Sequence, residues 1–460
     1  MKAALALLVA ALPLQAQRLD SIDLYFAGVL PADGPGCAVG VRRQGEVVHR
    51  AAYGLADLER RVPLSTHSVF YTGSLSKQFT AASIALAARD GKIDVDAPAR
   101  RWIPEMPPTA GDVTARDLVH HIGGLREKWE LLGLAGVPIA TTLVTQQMLL
   151  DQVSRQRGVL FPVGTRSSYS NTGYDLLATL LQRATGESIR DYSRQRIFAP
   201  LGMKATLYAD HFGELIPDRA LGYSRAGPEW IHAPAMVETV GSGSLHSSVD
   251  DLLLWLAAWE RNGGPFADSA LAAQLVTRGK LRDGTTLDYA WGLGVDVWQG
   301  LPRVQHSGSL AGFRTAMWRL PTLEWSAVVL CNFAQANPSE MMASLVRSFG
   351  HDSVVATTTL ATYPPAESRA SPTAVLVHFP DLAGNYRSDE LDASWAVTRT
   401  DSGYVVRRGS APEEMVLPIA GESDQVRIAG RTIRVVRGAE GRVGALVVSS
   451  GTAAGIELRP

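Results

Sequence analysis

Residues 71–82, YTGSLSKQFTAA, constrain this chain more than any other stretch, because they place Ser74 and Lys77 three residues apart at the start of a predicted helix. Residues at positions i and i+3 of a helix share a face, with Cβ atoms roughly 5–6 Å apart. A serine hydroxyl needs an adjacent base to act as a nucleophile, and a lysine buried among apolar residues loses its proton more easily than one in water. The spacing therefore predicts Ser74 as a nucleophile within reach of the Lys77 amine.

The helix that follows supports this hypothesis, since its apolar face continues through Phe79 and Ile84 until Gly91 ends it. A buried helix holds both side chains on a rigid element. The Ser74 backbone N–H would lie at the helix N-terminus, where unpaired amides and the helix dipole favour a developing oxyanion. Ser-x-x-Lys also occurs by chance, with the serine as a cap and the lysine in solvent, so the motif alone is weak evidence.

The composition favours one large globular domain with a smaller one attached. The chain has 460 residues, of which 46% are hydrophobic, and a formal charge of −1. It can therefore bury a large core. A near-neutral charge gives no reason to expect a nucleic-acid partner.

The N-terminus has the pattern of a secretory signal. Lys2 precedes a short apolar run that ends at Pro13, and small residues surround Ala16. This order fits a signal peptide better than a membrane span, which needs about 20 apolar residues. We predict a signal peptide over residues 1–16, no membrane span, and an exported protein that is periplasmic or secreted.

Cys37 and Cys331 are the only cysteines, which excludes a disulfide-dense scaffold and a cysteine-based zinc site. Each lies in a strand-like run, and two buried thiols are the favoured interpretation, although an oxidising compartment permits a bridge. The adjacent His120 and His121 have no carboxylate at a recognised ligand spacing, so no metal site is predicted.

Strand-like runs define two further regions. Residues 36–57 predict a hairpin, and three runs that begin near His306 predict a later antiparallel sheet section. Residues 351–372, rich in Thr, Ala, Ser and Pro, predict a linker. Residues 373–460 show short strands between turns and no helical pattern, which predicts a small antiparallel barrel or sandwich.

Two more motifs follow the first in chain order. Tyr169 and Asn171 lie in a turn before an apolar-periodic helix, where residues two positions apart can point the same way. His306, followed by Ser-Gly-Ser, places a polar side chain and Gly308 near a strand edge. A glycine there predicts close approach of a substrate backbone.

Together these elements resemble the serine β-lactamase and penicillin-binding-protein superfamily, in particular its class C and D-aminopeptidase/esterase-like branch. The resemblance lies in SLSK at 74–77, YSN at 169–171 and HSG at 306–308. It extends over residues 36 to about 337, and the C-terminal strands are similar to the lipocalin-like barrel appended to some members. It implies an α+β fold: a five-stranded antiparallel sheet with helices on both faces, plus an all-helical subdomain. Residues 17–350 would form this domain, with the site between sheet and subdomain.

The resemblance also implies roles for the motif residues. Ser74 would attack a carbonyl to form an acyl-enzyme, and Lys77 would take or relay its proton. Tyr169 would act as shared base and as proton donor to the leaving group, with its phenolate favoured by nearby ammonium groups. Asn171 would hydrogen-bond the substrate, and the amides of Ser74 and Ser309 would form the oxyanion hole. No metal or organic cofactor is needed.

One departure from the family pattern bears on the substrate. His306 begins the third motif, where β-lactamases usually have a lysine, and a histidine near pH 7 is mostly neutral unless a partner raises its pKa. This weakens affinity for the carboxylate of a β-lactam. The departure favours an esterase, amidase or D-amino-acid peptidase.

The predicted function is an exported serine hydrolase that cleaves a small ester, amide or β-lactam, or a cell-wall-type peptide. Two alternatives stay open. One is a true β-lactamase or D,D-peptidase; the other is a catalytically idle sensor or binding protein with the barrel as its ligand module. The presence of Ser74, Lys77 and Tyr169 together argues against an idle protein.

Overall fold

A computed structural model of the protein describes residues 14–349 and 382–460, apart from residues 32, 262, 268, 402, 420, 421, 423, 429 and 439. The predicted linker, residues 351–372, lies outside these residues, as do residues 1–13 of the predicted signal peptide. The boundaries assigned to the signal peptide, linker and domains therefore stay predictions. Within the described ranges, every helix is too short or too polar to cross a bilayer.

The helices and helical turns alternate with strands along the chain. The α-helices are α1 Leu14–Val29, α2 Ser76–Arg89, α3 Ala115–Val119, α4 Lys128–Leu134, α5 Gln146–Arg155, α6 Asn171–Thr185, α7 Ile189–Ser193, α8 Ala199–Leu201, α9 Val249–Arg261, α10 Ser269–Leu275 and α11 Pro338–Phe349. The 3₁₀ turns are Gly73–Leu75, Ala99–Arg101, Pro108–Ala110, Gly264–Ala267 and Pro321–Leu323, and Arg194–Phe198 is a π-helical turn.

The strands form the central sheet, three small sheets and a C-terminal barrel. They are β1 Cys37–Arg43, β2 Glu46–Tyr53, β3 Leu55–Asp57, β4 Val62–Pro63, β5 Phe70–Tyr71, β6 Leu207–Tyr208, β7 Tyr223–Ala226, β8 Glu229–His232, β9 Leu245–Ser247, β10 Gly294–Trp298, β11 Leu301–Leu310, β12 Phe313–Leu320, β13 Trp325–Cys331, β14 Gly384–Ser388, β15 Ala393–Thr400, β16 Gly403–Arg408, β17 Glu414–Pro418, β18 Gln425–Ile428, β19 Arg431–Arg437, β20 Val443–Val448 and β21 Glu457–Leu458.

The central sheet is antiparallel, in the order β10-β11-β12-β13-β1-β2. The sheet has six strands, so the prediction of five strands is wrong by one. β10 is an additional edge strand, and it pairs with only the first half of β11. The predicted α+β fold, with an antiparallel sheet flanked by helices, is confirmed. Helices α2, α3, α6, α7 and α10 pack together beside the sheet.

Strand β1 shows how the sheet buries both faces. Its side chains alternate, and Val39 and Val41 share one core with residues of α1 and α11. Gly40 points the other way, against α9, where a Cβ would lie only 2.7 Å from a Val249 methyl carbon. The glycine therefore lets α9 pack directly on the sheet.

The two cysteines form a disulfide rather than separate thiols. Cys37 on β1 pairs in register with Cys331 on β13, with Cα atoms 4.1 Å apart, and both residues are fully buried. The favoured interpretation of two free thiols is therefore wrong. The cysteines are 294 residues apart in sequence, so only the strand pairing reveals that they meet.

The C-terminal strands confirm the predicted antiparallel barrel. Strands β14 to β21 pair in sequence order. Reciprocal backbone hydrogen bonds then join the two ends, with the Arg387 amide donating to the Arg459 carbonyl at 2.7 Å and the Arg459 amide donating back at 2.9 Å. Closure leaves few unpaired backbone groups at the edges.

Candidate active site

A cavity of about 520 Å³ lies where the sheet meets the helices, and most of the predicted site residues line it. Ser74, Tyr169, Asn171, His306 and Ser309 all contribute to its wall. They come from the turn before α2, the start of α6 and the second half of β11. The fold therefore brings the three sequence motifs together.

Ser74 lies in the 3₁₀ turn Gly73–Leu75, half-buried at the cavity floor. The Lys77 amine is 3.1 Å from its hydroxyl oxygen. The Lys77 side chain is fully buried, and the Ser74 side chain caps neither the turn nor α2. This geometry contradicts the chance alternative of a capping serine and a solvated lysine.

Three neutral oxygens surround the Lys77 amine. It donates to the Ser74 hydroxyl, to Asn171 Oδ1 at 2.8 Å and to the Ser242 carbonyl at 2.9 Å. Burial lowers the pKa of Lys77 to about 7, even though the negative charges of Asp175 and Glu127 raise it. A large share of Lys77 is therefore uncharged near neutral pH.

Tyr169 stands over the same amine, with its ring centroid 4.7 Å from Lys77 Nζ. The residue as a whole is 44% exposed, but its hydroxyl contacts the Ser74 side chain. Burial raises the pKa of this phenol above its ordinary value, and the contact with Ser74 lowers it by less. This contradicts the expected phenolate and favours a protonated Tyr169.

Asn171 is held at both ends of its side-chain amide. Its Oδ1 accepts from Lys77, while its Nδ2 donates to Glu127 Oε1 at 2.9 Å. Glu127 Oε2 also accepts the Asn171 backbone N–H at 2.7 Å, at the N-terminus of α6. Asn171, expected to bind substrate, thus connects Glu127 to Lys77 in the structure.

His306 is a neutral hydrogen-bonded ring. Its Nδ1 donates to the Ser307 carbonyl at 2.6 Å, so its Nε2 accepts from the Tyr289 hydroxyl at 3.0 Å. Burial, with the nearby Lys77 charge, lowers the pKa of His306 to about 4. The side chain therefore supplies no positive charge near pH 7.

Gly308 brings β11 against the nucleophile turn. β10 pairs with β11 only as far as Gln305, which leaves this edge free beyond it. A Cβ on Gly308 would lie 2.1 Å from the Thr72 carbonyl oxygen and 3.0 Å from the Ser74 nitrogen. On this face of β11 the close neighbour of Gly308 is therefore the protein's own turn, and the approach of a substrate at the strand edge stays a prediction.

The Ser309 amide lies on the other side of the same contact. An ideal Cβ on Gly73 would be 2.9 Å from the Ser309 nitrogen. The Ser74 and Ser309 amides are thus neighbours, as an oxyanion hole requires.

A second buried lysine completes the floor of the cavity. Lys128 donates to the Asp175 carboxylate and to the Thr239 hydroxyl, the latter at 2.6 Å. Asp175 also accepts the Ser242 N–H at 2.8 Å, and the Ser242 carbonyl contacts Lys77. A chain of hydrogen bonds therefore joins the two lysines.

Four residues of this site were missed in the sequence: Glu127, Lys128, Asp175 and Tyr289. Charged residues such as those in the run REKWE are usually solvated, and no local spacing distinguishes the buried ones. Across the described part of the chain, no three His, Cys, Asp or Glu side chains group as metal ligands would.

The fold and the site together define a class of protein, and comparison with known families identifies that class. The family model for beta-lactamases matches residues 29–349. The chain belongs to the beta-lactamase family, which confirms the resemblance seen in the three motifs.

Particular relatives refine this placement. A D-aminopeptidase from Brucella canis is 30% identical over 343 residues, which cover 72% of this chain and 63% of that protein. The chain therefore matches less than two thirds of this relative's length.

Two solved structures share the fold. The octameric penicillin-binding protein homologue from Pyrococcus abyssi superimposes with a TM-score of 0.63 at 20% identity, covering 97% of this chain and 99% of that one. The D-amino acid amidase from Ochrobactrum anthropi SV3 gives 0.59 at 24% identity, covering 73% and 98%. The barrel thus falls within the first match, whereas the second covers a smaller part of the chain.

Proposed function

We propose that the protein is a serine hydrolase that cleaves amides through an acyl-enzyme on Ser74. The observation that carries this proposal is the fully buried Lys77 amine, 3.1 Å from the Ser74 hydroxyl, with a pKa lowered to about 7. A neutral amine at hydrogen-bond distance is the arrangement that general-base activation of a serine requires.

The proposed reaction moves one proton through three groups. Neutral Lys77 takes the Ser74 proton as the oxygen attacks the substrate carbonyl, and the Ser74 and Ser309 amides stabilise the resulting oxyanion. Tyr169 donates its proton to the departing nitrogen and regains one from the Lys77 ammonium. Water then hydrolyses the ester bond to Ser74, and the site returns to its starting protonation state.

The wall of the cavity favours a substrate that carries no carboxylate. His306, at the position of the usual cation, is neutral, which disfavours β-lactams that carry a carboxylate. Trp129, Ile139, Val237 and Leu310 add apolar surface. The named activities of the relatives, D-aminopeptidase and D-amino acid amidase, support an amide of an apolar D-amino acid.

The test compares wild-type protein with Ser74→Ala. The substrates are D- and L-phenylalanyl p-nitroanilide, p-nitrophenyl butyrate and nitrocefin. We expect turnover of the D-anilide that exceeds that of the L-anilide and vanishes in the variant. Preferred turnover of nitrocefin would instead establish the β-lactamase alternative. No turnover and no acylation of Ser74 by mass spectrometry would contradict an enzymatic function.

We also propose that the protein is exported. The predicted signal peptide and the Cys37–Cys331 disulfide both support an oxidising compartment. Expression of the full chain in a bacterial host, followed by fractionation and intact mass measurement, tests this. We expect a periplasmic or secreted product shortened near Ala16, and a full-length cytoplasmic product would contradict it.

A further inference from the structure

The segment that carries Glu127 and Lys128, two of the four unpredicted site residues, is also held by the C-terminal barrel. We call residues 126–134 the bridging segment. Its last part packs into the barrel: Leu131 and Leu134 belong to the barrel's own hydrophobic core. Trp395, fully buried in that core, donates its indole N–H to the Leu134 carbonyl at 2.8 Å. Leu131 and Leu134 therefore pack in the barrel core, while Leu132 between them packs in the core of the larger domain.

Polar contacts from the barrel hold the first part of the bridging segment. The Thr452 carbonyl, in the loop between β20 and β21, accepts the Glu127 backbone N–H at 3.0 Å. In the same loop, the Ala454 carbonyl accepts Arg126 Nε at 3.1 Å. Glu390 of the barrel pairs with the buried Arg126 guanidinium at 3.1 Å. One ion pair and two hydrogen bonds to backbone carbonyls of the barrel thus hold Arg126 and Glu127.

The opposite side of the bridging segment faces the cavity. Glu127 orients the Asn171 amide, whose oxygen contacts Lys77, and Lys128 binds Asp175. The Thr172 hydroxyl donates to the Arg126 carbonyl at 2.9 Å and accepts the Lys128 N–H at 2.8 Å, which joins the segment to α6. One short stretch of backbone therefore contacts the barrel and the catalytic hydrogen bonds at once.

We propose that the barrel is a positioning element of the active site, which acts through Arg126 and Glu127 on Asn171 and Lys77. Glu390 and the β20–β21 loop fix the backbone that carries the Glu127 carboxylate. That carboxylate fixes the amide oxygen that holds the Lys77 amine beside Ser74. Glu390 is a positioning residue, since it touches neither Ser74 nor the cavity wall described above.

The experiment measures the labelling of Ser74 by an alkyl fluorophosphonate, using full-length protein. The maximum rate and the half-saturating concentration are compared for wild type, Glu390→Ala, Glu127→Gln and the double variant. Misplacing a catalytic group by about 1 Å costs on the order of 100-fold in rate. We expect Glu390→Ala to lower the maximum rate on the order of tenfold, with little change in half-saturation.

The double variant separates positioning from independent effects. If Glu390 acts through Glu127, the double variant labels no more slowly than Glu127→Gln alone. Losses that multiply would overturn the proposal. Trp395→Phe, which removes the N–H bond to Leu134 together with part of a buried ring, is a second variant and should lower the maximum rate in the same direction. Unchanged rates in both Glu390→Ala and Trp395→Phe would also overturn it.

Val426→Ala is the matched control, because it removes barrel core volume and none of the contacts named above. We expect it to lower the melting temperature while the labelling rate of the folded protein is unchanged. An equal loss of rate in this variant would mean that the barrel acts through stability alone, and the proposal would be wrong. The inference rests on the proposed serine chemistry, but wild-type protein that is not labelled at all would contradict that chemistry specifically.

Discussion

Two buried lysines serve the same site, Lys128 in the cavity wall and Lys77 behind Ser74, and they differ in the charge of the groups that contact their amines. Lys77 contacts a hydroxyl, an amide oxygen and a backbone carbonyl, all neutral. Lys128 contacts the carboxylate of Asp175 directly. Burial without a contacting carboxylate lowers the pKa of Lys77 to about 7. The comparison teaches that the identity of the nearest partner, rather than burial, distinguishes a candidate base from a structural ion pair.

Replacing Lys77 should have the largest effect on activity. Lys77→Met removes the proposed base, and general-base catalysis contributes about 10²- to 10⁴-fold, so we expect a loss in that range in the rate of D-anilide hydrolysis. Lys77→Arg is the matched control, because a guanidinium stays protonated and should be equally inactive. Substantial activity in the arginine variant would show that Lys77 needs only its charge.

Replacing Lys128 should instead affect stability. Lys128→Met leaves the buried Asp175 carboxylate without its partner, and breaking such a pair costs roughly 3–5 kcal/mol. Urea unfolding followed by circular dichroism measures this loss. Adding Asp175→Asn removes the stranded charge and should recover part of the stability. Equal stability of Lys128→Met and wild type would mean that the pair is not structural.

The pH dependence of activity tests the Lys77 surroundings directly. Because only the uncharged amine accepts the Ser74 proton, we expect kcat/KM to rise with pH through about 7 and then level off. In Lys128→Met this rise should move to higher pH, because the positive charge of Lys128 lowers the pKa of Lys77. A profile that falls through pH 7 would contradict the assignment of the base.

The smallest effect is expected from Tyr289→Phe. The change removes the hydroxyl that donates to His306 Nε2, and a neutral hydrogen bond contributes about 0.5–1.5 kcal/mol. We therefore expect kcat/KM to fall by a factor of roughly 2–10, with the pH rise unmoved. A loss as large as that of Lys77→Met would place Tyr289 among the residues that contact the substrate.

The sequence predicted the parts of the site that depend on local pattern. The spacing of Ser74 and Lys77 follows from helix geometry, and the order of the three motifs placed Tyr169, Asn171 and His306. It did not predict that burial would keep Tyr169 protonated, because solvent exclusion depends on packing from distant elements. Nor did the sequence predict the buried position of Glu127, because the residues around it have the pattern of a charged surface segment.

The fold likewise has parts that the local sequence pattern predicted and parts that it did not. Short strands between turns predicted the barrel, since each strand carries its own alternation. The Cys37–Cys331 bond depends on a pairing between segments 294 residues apart, for which the local pattern holds no signal. The edge strand β10 pairs with the adjacent β11 in a hairpin that the sequence analysis did not identify.

The pairing of β1 with β13 sets the order in which this domain can be completed. The two strands are neighbours in the middle of the central sheet, yet their paired cysteines are 294 residues apart. During synthesis the N-terminal part of the chain is made first, so the β1 edge of the β1–β2 hairpin stays unpaired until β13 has been made. Contacts of such long sequence separation slow folding and leave unpaired edges exposed to other chains. The unpaired edge of β1 therefore has to be protected while the chain is synthesised and folds. This requirement is independent of the chemistry at the active site.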